Sequence, residues 1–463
     1  MDLLHYSQFG LPEDIRRCKE SGHFAEAIRL IDLRLSEPGL NDALRGSLLF
    51  QKRICRELPG EFPYSIPQAM ALIREKIPDF QESELNRYLD QRQIRWIYAE
   101  GEKRLFERFF DSLCKTVPDF ARRAGVIPGG VESAIEGSGG TRLLDSAIHT
   151  MKATGSLSNR IRIRATLQLK EECFTPGMLL RAHLPIPAAC PQQSDIRIEK
   201  IFPENGTPGP ECAPQRTICW EGSWQENPTF LVEYSYTHTA RYTDAYHSSG
   251  IPGNHSFDLQ EQPPHLVFTP YLRQLCRELT GQLTDPLAKA RAIYDFITQN
   301  MAYTYMPSYI LLENMAEECA RSYTGDCGIF ALLMITLCRC AGIPAQWQSG
   351  LTAEPDFIGG HDWVRFYTEP FGWLYADPSY GVAASRCGSE ERRQFYFGNL
   401  DPYRFVANSA FQMPLSPAKA HLRADPYDNQ LGEIESENRG FSFGEYLRTK
   451  EVLLCRRIEQ ERT

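Results

Sequence analysis

Three short stretches carry side chains whose types and order suit thiol chemistry on a carbonyl. They are Tyr323-Thr-Gly-Asp-Cys327-Gly-Ile-Phe330, Gly359-Gly-His361-Asp-Trp363 and Trp373-Leu-Tyr-Ala-Asp377-Pro-Ser379. A thiol needs a base to become a nucleophile, and the base needs a third group to orient it. Cys327, His361 and Asp377 supply those types in that order. Their chemistry would be thiolate attack on an amide carbonyl, with the imidazole moving the proton and the carboxylate holding the imidazole. Each residue alone is ordinary, since a cysteine at a helix start is usually structural and a lone histidine usually sits in a loop or core. The ordered conjunction carries the expectation.

These side chains need elements to position them. Thr324-Gly-Asp326 precedes a helical run from Cys327 to Ala341, which Gly342-Ile-Pro344 ends with a glycine at C′ and a proline beyond. Asp326 or Thr324 suits the N-cap. Cys327 then falls in the first turn, where unpaired N–H groups and the positive end of the helix dipole favour a thiolate and can hold an oxyanion. The run is apolar nearly all round, so the helix should be buried. A strand over Trp363–Tyr367 follows His361. Asp377 ends the strand Trp373–Ala376, and Pro378 cannot continue a central strand. Were the two strands antiparallel neighbours, His361 and Asp377 would share one end of a sheet. His361-Asp362 is also the dipeptide core of metal-dependent phosphohydrolases, but the further ligands such a site needs have no place here. Cys338-Arg-Cys340 is a lone C-x-C without zinc spacing, so neither metal nor cofactor is expected.

The rest of the 463 residues is too long for one core. Residues 1–140 read as a helical N-terminal domain, with helical spacing in Phe24, Ala27, Ile28, Ile31 and Leu35 and a long helical stretch from Leu85 to Cys114 broken near Gly101. Gly129-Gly130 and Glu136-Gly-Ser-Gly-Gly140 mark a loop. Residues 155–250 alternate with period two, as in Arg160–Leu169 and Thr229–Thr237, and predict an antiparallel β-sandwich. Residues 260–410 form the segment with the three motifs, and 411–463 a C-terminal extension whose Phe443–Gln460 reads as an amphipathic helix. A net charge of −9 argues against nucleic acid or an anionic membrane as partner. No basic n-region with an apolar stretch opens the chain, so a cytoplasmic location is expected.

Taken together, Tyr-Thr-Gly-Asp-Cys327-Gly, Gly342-Ile-Pro344-Ala-Gln, Gly360-His-Asp-Trp363 and Trp373-Leu-Tyr-Ala-Asp-Pro-Ser379 resemble the transglutaminase-like superfamily in its bacterial, papain-related form. The resemblance covers roughly residues 265–400. It implies an α+β catalytic domain with Cys327 as nucleophile, His361 as general base and acid, and Asp377 orienting the histidine. It also implies a peptide or protein substrate. The β-rich segment resembles the sandwich that often precedes this core in bacterial members. No acidic cluster matches the calcium loops of animal members, so calcium is not implied. Tyr305, Asn314, Gln346, Asp326 and Trp363 stay open as oxyanion or substrate contacts. The expected activity is cysteine protease or amidase. The alternatives are a protein-glutamine gamma-glutamyltransferase that crosslinks, and a catalytically silent peptide-binding or assembly protein.

Overall fold

A computed structural model describes residues 6–7, 9–126 and 140–458. The chain begins with helices α1 (Glu13–Glu20), α2 (Phe24–Leu35) and α3 (Asp42–Glu61), whose apolar faces meet at Ile15, Phe24, Ala27, Ile31 and Leu48. Then come β1 (Tyr64–Ser65), α4 (Ile66–Lys76), α5 (Glu82–Asp90), β2 (Trp96–Ala99), β3 (Glu102–Leu105), α6 (Phe109–Thr116) and α7 (Pro118–Arg123). The expected helix from Leu85 to Cys114 is therefore two helices separated by a hairpin. Glu100 and Gly101, both at positive φ, turn the chain, and Trp96-Ile-Tyr98 carries aromatic and β-branched residues that suit a pleated strand. The N-terminal region is thus not all helical, because β1, β3 and β2 form a small sheet. The expected loop at Gly129–Gly130 and Glu136–Gly139 lies outside the described residues.

Helix α8 (Gly140–Thr154) leads into β4 (Ser156–Leu169), β5 (Met178–Pro185), β6 (Gln193–Phe202), β7 (Thr207–Pro208), β8 (Thr217–Trp224) and β9 (Phe230–Arg241). In β4, Ile161, Ile163, Ala165 and Leu167 point inward while Arg160, Arg162 and Arg164 alternate with them. These strands fall in two four-stranded sheets that share one apolar core, with Trp220, Val232 and Tyr234 between them.

The third region contains α9 (Pro270–Thr280), α10 (Pro286–Asn300), β10 (Ala302–Tyr303), α11 (Met315–Ser322), β11 (Thr324–Gly325) and α12 (Cys327–Cys340). It continues through β12 (Ala345–Glu354), β13 (Phe357–Thr368), β14 (Gly372–Ala376), α13 (Pro378–Arg386), α14 (Glu390–Phe395), β15 (Phe397–Gly398) and β16 (Arg404–Asn408). An antiparallel sheet in the order β15-β14-β13-β12-β16 packs against α12. Ile329 to Cys338 of α12 are fully buried, as an all-round apolar helix must be. Its end is a Schellman turn: Gly342 takes φ +80, its N–H reaches Arg339 O, and Ile343 N–H reaches Cys338 O.

The C-terminal residues return to the earlier sheets. β17 (Glu433–Ser436) pairs with β5, and β18 (Tyr446–Ile458) pairs with β4. In place of the amphipathic helix expected at Phe443–Gln460, a single 3-10 turn at Phe443–Glu445 leads into the strand Tyr446–Ile458. The long edge of β4 leaves a row of backbone groups unpaired, and a 13-residue strand satisfies them where a helix would not. Among the described residues no helix is long and apolar enough to cross a membrane.

Candidate active site

Cys327 is the first residue of α12, and Asp326 caps the helix by accepting the Ile329 N–H at 3.2 Å on Oδ1. The Tyr309 hydroxyl donates to the same oxygen. Just upstream, β10 and β11 pair in parallel, with Tyr303 opposite Gly325. That register brings the Tyr303 hydroxyl within 3.9 Å of Cys327 Sγ. The thiol itself donates to Asp362 Oδ2 at 3.3 Å. Gly328 is required beside it, because a Cβ there would meet the Tyr309 hydroxyl at 2.4 Å and Asp362 Oδ2 at 2.9 Å.

The electrostatics of the thiol differ from the expectation. Burial pushes Cys327 well above an ordinary thiol, and the carboxylates of Asp362 and Asp326 add to the shift. Desolvation and two acidic neighbours oppose the thiolate that the helix N-terminus favours. Burial and then Asp428 push the Asp362 carboxyl well up as well, and burial raises Asp326 to about 6. The side-chain amide of Gln430 donates to Asp362 Oδ1 and reaches Asp428 Oδ2 at 2.9 Å.

His361 lies inside β13 rather than ahead of a strand, because Gly359 and Gly360 are extended and pair with Thr352 and Leu351. β14 runs antiparallel to β13, with Val364 opposite Ala376. Asp377 follows directly and caps α13, accepting the Tyr380 N–H at 2.9 Å and the Ser379 hydroxyl at 3.0 Å on Oδ1. Its Oδ2 receives His361 Nε2 at 2.7 Å and Arg404 Nη1 at 2.8 Å. Burial opposes ionisation of Asp377, but His361 and Arg404 outweigh it and hold the carboxyl at about 2. With Nε2 donating to Asp377, Nδ1 is the basic nitrogen of His361. Arg404 has no exposed surface, pairs also with Asp401, and lies 4.5 Å from the Tyr380 ring centroid. The structure thus joins His361 to Asp377, and Cys327 to Asp362. Among the described residues no hydrogen bond joins Cys327 Sγ to His361.

The remaining expected contacts are otherwise engaged. The Tyr305 ring lies 3.2 Å from the Arg108 guanidinium and 4.0 Å from Lys115 Nζ. Asn314 is the N-cap of α11, accepting the Glu317 N–H at 3.1 Å. Gln346 donates to Asp258 at 2.5 Å, near the start of β12 and away from Gly350, the residue opposite His361. Trp363 is buried and donates its indole N–H to Gln348 at 2.6 Å. Asp326 is a cap.

Tyr303, Asp362, Gln430 and Arg404 were absent from that expectation. Tyr303 carries a signal in its place just after α10, in the strand that pairs with β11. Gln430 and Arg404 had none, since both come from chain distant in sequence. Two clefts, of about 660 and 330 Å³, lie between the N-terminal helices and the loop around Leu311 and Leu312. Cys327 is in the wall of neither.

Residues 273–378 match the model of the Transglutaminase-like superfamily. An uncharacterized Bacillus subtilis protein, YebA, is 27% identical over 129 residues, 24% of this chain and 17% of its own length. A protein-glutamine gamma-glutamyltransferase of Pseudomonas aeruginosa is 30% identical over 128 residues, 25% of this chain and 19% of its own. The matches thus span less than a fifth of either relative. A solved structure of a candidate cysteine protease from Cytophaga hutchinsonii aligns with 67% of this chain and 93% of its own at 16% identity and a TM-score of 0.43, too distant to bear on the reaction. Cys327, His361 and Asp377 all fall inside the matched span, whereas Arg404 and Gln430 fall outside it. Over residues 273–378 the chain is similar to the core of the transglutaminase-like superfamily.

Proposed function

We propose that this core performs thiol-mediated acyl transfer on peptide or protein amides, with water as the acceptor. The observation that carries the reading is the His361 Nε2–Asp377 Oδ2 bond of 2.7 Å, buried beside the helix that begins with Cys327. Cys327 Sγ leaves Asp362 and gives its proton to His361 Nδ1 as it attacks the amide carbonyl carbon. Asp377 holds the imidazole and favours the imidazolium that forms. The Tyr303 hydroxyl, 3.9 Å from Sγ, donates to the developing oxyanion. His361 then protonates the leaving amine, and a water deprotonated by His361 opens the thioester.

A second reading has an amine as acceptor, which makes the protein a crosslinker. It is favoured by the 30% identity to a protein-glutamine gamma-glutamyltransferase. Chemistry up to the thioester is common to both. The experiment is to supply glutamine-containing peptides with and without a competing primary amine and to follow ammonia and product masses. Hydrolysed product dominating in the presence of the amine supports the peptidase or amidase reading. Dominant amine incorporation reverses it. No turnover with either, while Cys327→Ala behaves the same, leaves a peptide-binding protein without catalysis.

A further inference from the structure

Around Sγ the neighbouring side chains are Asp362 from β13, Asp326 from the cap of α12 and the hydroxyl of Tyr303, with Tyr309 on Asp326 and Asp428 behind Asp362. The acid groups of this set are all anionic when ionised. A thiolate there needs a cation besides the imidazolium of His361, whose partner is Asp377.

Lys115 stands in that position. It occupies the last turn of α6, which Phe109 and Leu113 anchor in the N-terminal core. Its Nζ lies 4.7 Å from the ring centroid of Tyr303 and 4.0 Å from that of Tyr305. Tyr303 carries the hydroxyl 3.9 Å from Cys327 Sγ. Arg108, at the start of α6, covers Tyr305 and is already paired with Asp111. Arg386, in the last turn of α13, donates to the Lys115 carbonyl at 3.2 Å and ties α6 to the helix that Asp377 caps. Among the described residues no carboxylate forms an ion pair with Lys115. Burial holds it below an ordinary amine and the Arg108 guanidinium acts in the same direction, while Tyr305 and Cys327 oppose them. A half-buried amine without a carboxylate, set over two tyrosine faces, has only those rings and the groups behind them to favour its charged form.

We propose that Lys115 is a positioning residue of the acyl-transfer site, its ammonium acting across Tyr303 to stabilise the Cys327 thiolate and to polarise the Tyr303 hydroxyl. The N-terminal region then completes the electrostatics of a core that lies some two hundred residues downstream. This rests on the acyl-transfer reading for its catalytic consequence, but not for its effect on the thiol.

The test uses the full chain carrying Lys115→Met or Lys115→Arg. The pH dependence of iodoacetamide alkylation at Cys327 is read by peptide mass spectrometry. Lys115→Met is expected to move the midpoint up by about one pH unit, a roughly tenfold loss of thiolate at a given pH, and Lys115→Arg to keep it near the parent. With an amide substrate, the acid limb of kcat/KM should move with the same sign while KM stays constant. An unchanged midpoint in Lys115→Met overturns the proposal. So does a raised KM at a fixed midpoint, which would make Lys115 a substrate anchor. If neither variant folds by circular dichroism, Tyr305→Leu, which removes the ring beneath the ammonium, is read in the same way. A midpoint shift in a protein that turns over no amide sinks the acyl-transfer reading and leaves the role of Lys115 standing.

Discussion

Replacing Asp362 by asparagine isolates what keeps the thiol protonated. Asp362 Oδ2 stands 3.3 Å from Cys327 Sγ. Two unit charges at that distance repel by about 5 kcal/mol at an effective dielectric of ~20. The acting repulsion is smaller, because burial and Asp428 raise the Asp362 carboxyl and so favour its neutral form. Taking a quarter to a half of that figure, about 1–2.5 kcal/mol, the thiol should ionise about 1–2 pH units lower in Asp362→Asn. An asparagine carbonyl still accepts the S–H, so the geometry is retained while the charge is lost. The assay is alkylation of Cys327 by iodoacetamide followed across the neutral and alkaline range, with the other thirteen cysteines as internal references. At neutral pH the rate at Cys327 is expected to rise about tenfold. A midpoint that stays in place, or moves up, refutes the reasoning.

Tyr303→Phe removes a hydroxyl without emptying the site, and kcat is expected to fall about 10²–10³-fold with little change in KM, the range for loss of one oxyanion donor. Equal activity in that variant would assign the oxyanion to backbone N–H groups alone. Asp377→Asn breaks the partner of both His361 and Arg404, all but buried, and is expected to lower stability by about 3–5 kcal/mol in urea melts as well as activity. Acid provides a further check. The folded Asp377 carboxyl at about 2 lies below its ordinary value of 3.8, so its contribution is complete above that value and drains away as pH falls toward 2. The urea midpoint of the parent should therefore fall more steeply than that of Asp377→Asn between about pH 4 and pH 2, by about 2 kcal/mol in all; parallel curves would contradict the assignment.

Much of this was legible in the chain because it is local. The start and stop of α12 are written in Asp326 and in Gly342-Ile-Pro344, and capping depends on residues within a few positions. The antiparallel pairing of β13 and β14 follows from a short connection between two aromatic runs. Where local pattern misled, a distant partner had decided the matter. Residues 446–458 carry an amphipathic pattern compatible with either period, and the open edge of β4 makes them a strand. Trp96 and Tyr98 read as part of the helical stretch from Leu85 to Cys114, but Glu100-Gly101 turns the chain so that they pair with β3 in a hairpin.

By itself the sequence determined the types and order of Cys327, His361 and Asp377, the helix that begins at the cysteine, and the strand that ends at the aspartate. Each depends on neighbours in the chain. Only the tertiary structure decided what stands around the sulfur: Asp362 at 3.3 Å, Tyr303 at 3.9 Å, and Lys115 set over Tyr303 from the N-terminal region. It also decided that Arg404 joins His361 on one carboxylate oxygen of Asp377. The physical reason is that thiol ionisation depends on charge and burial in three dimensions. Groups separated by two hundred residues contribute as much as those in the same turn, and no spacing along the chain encodes their distance.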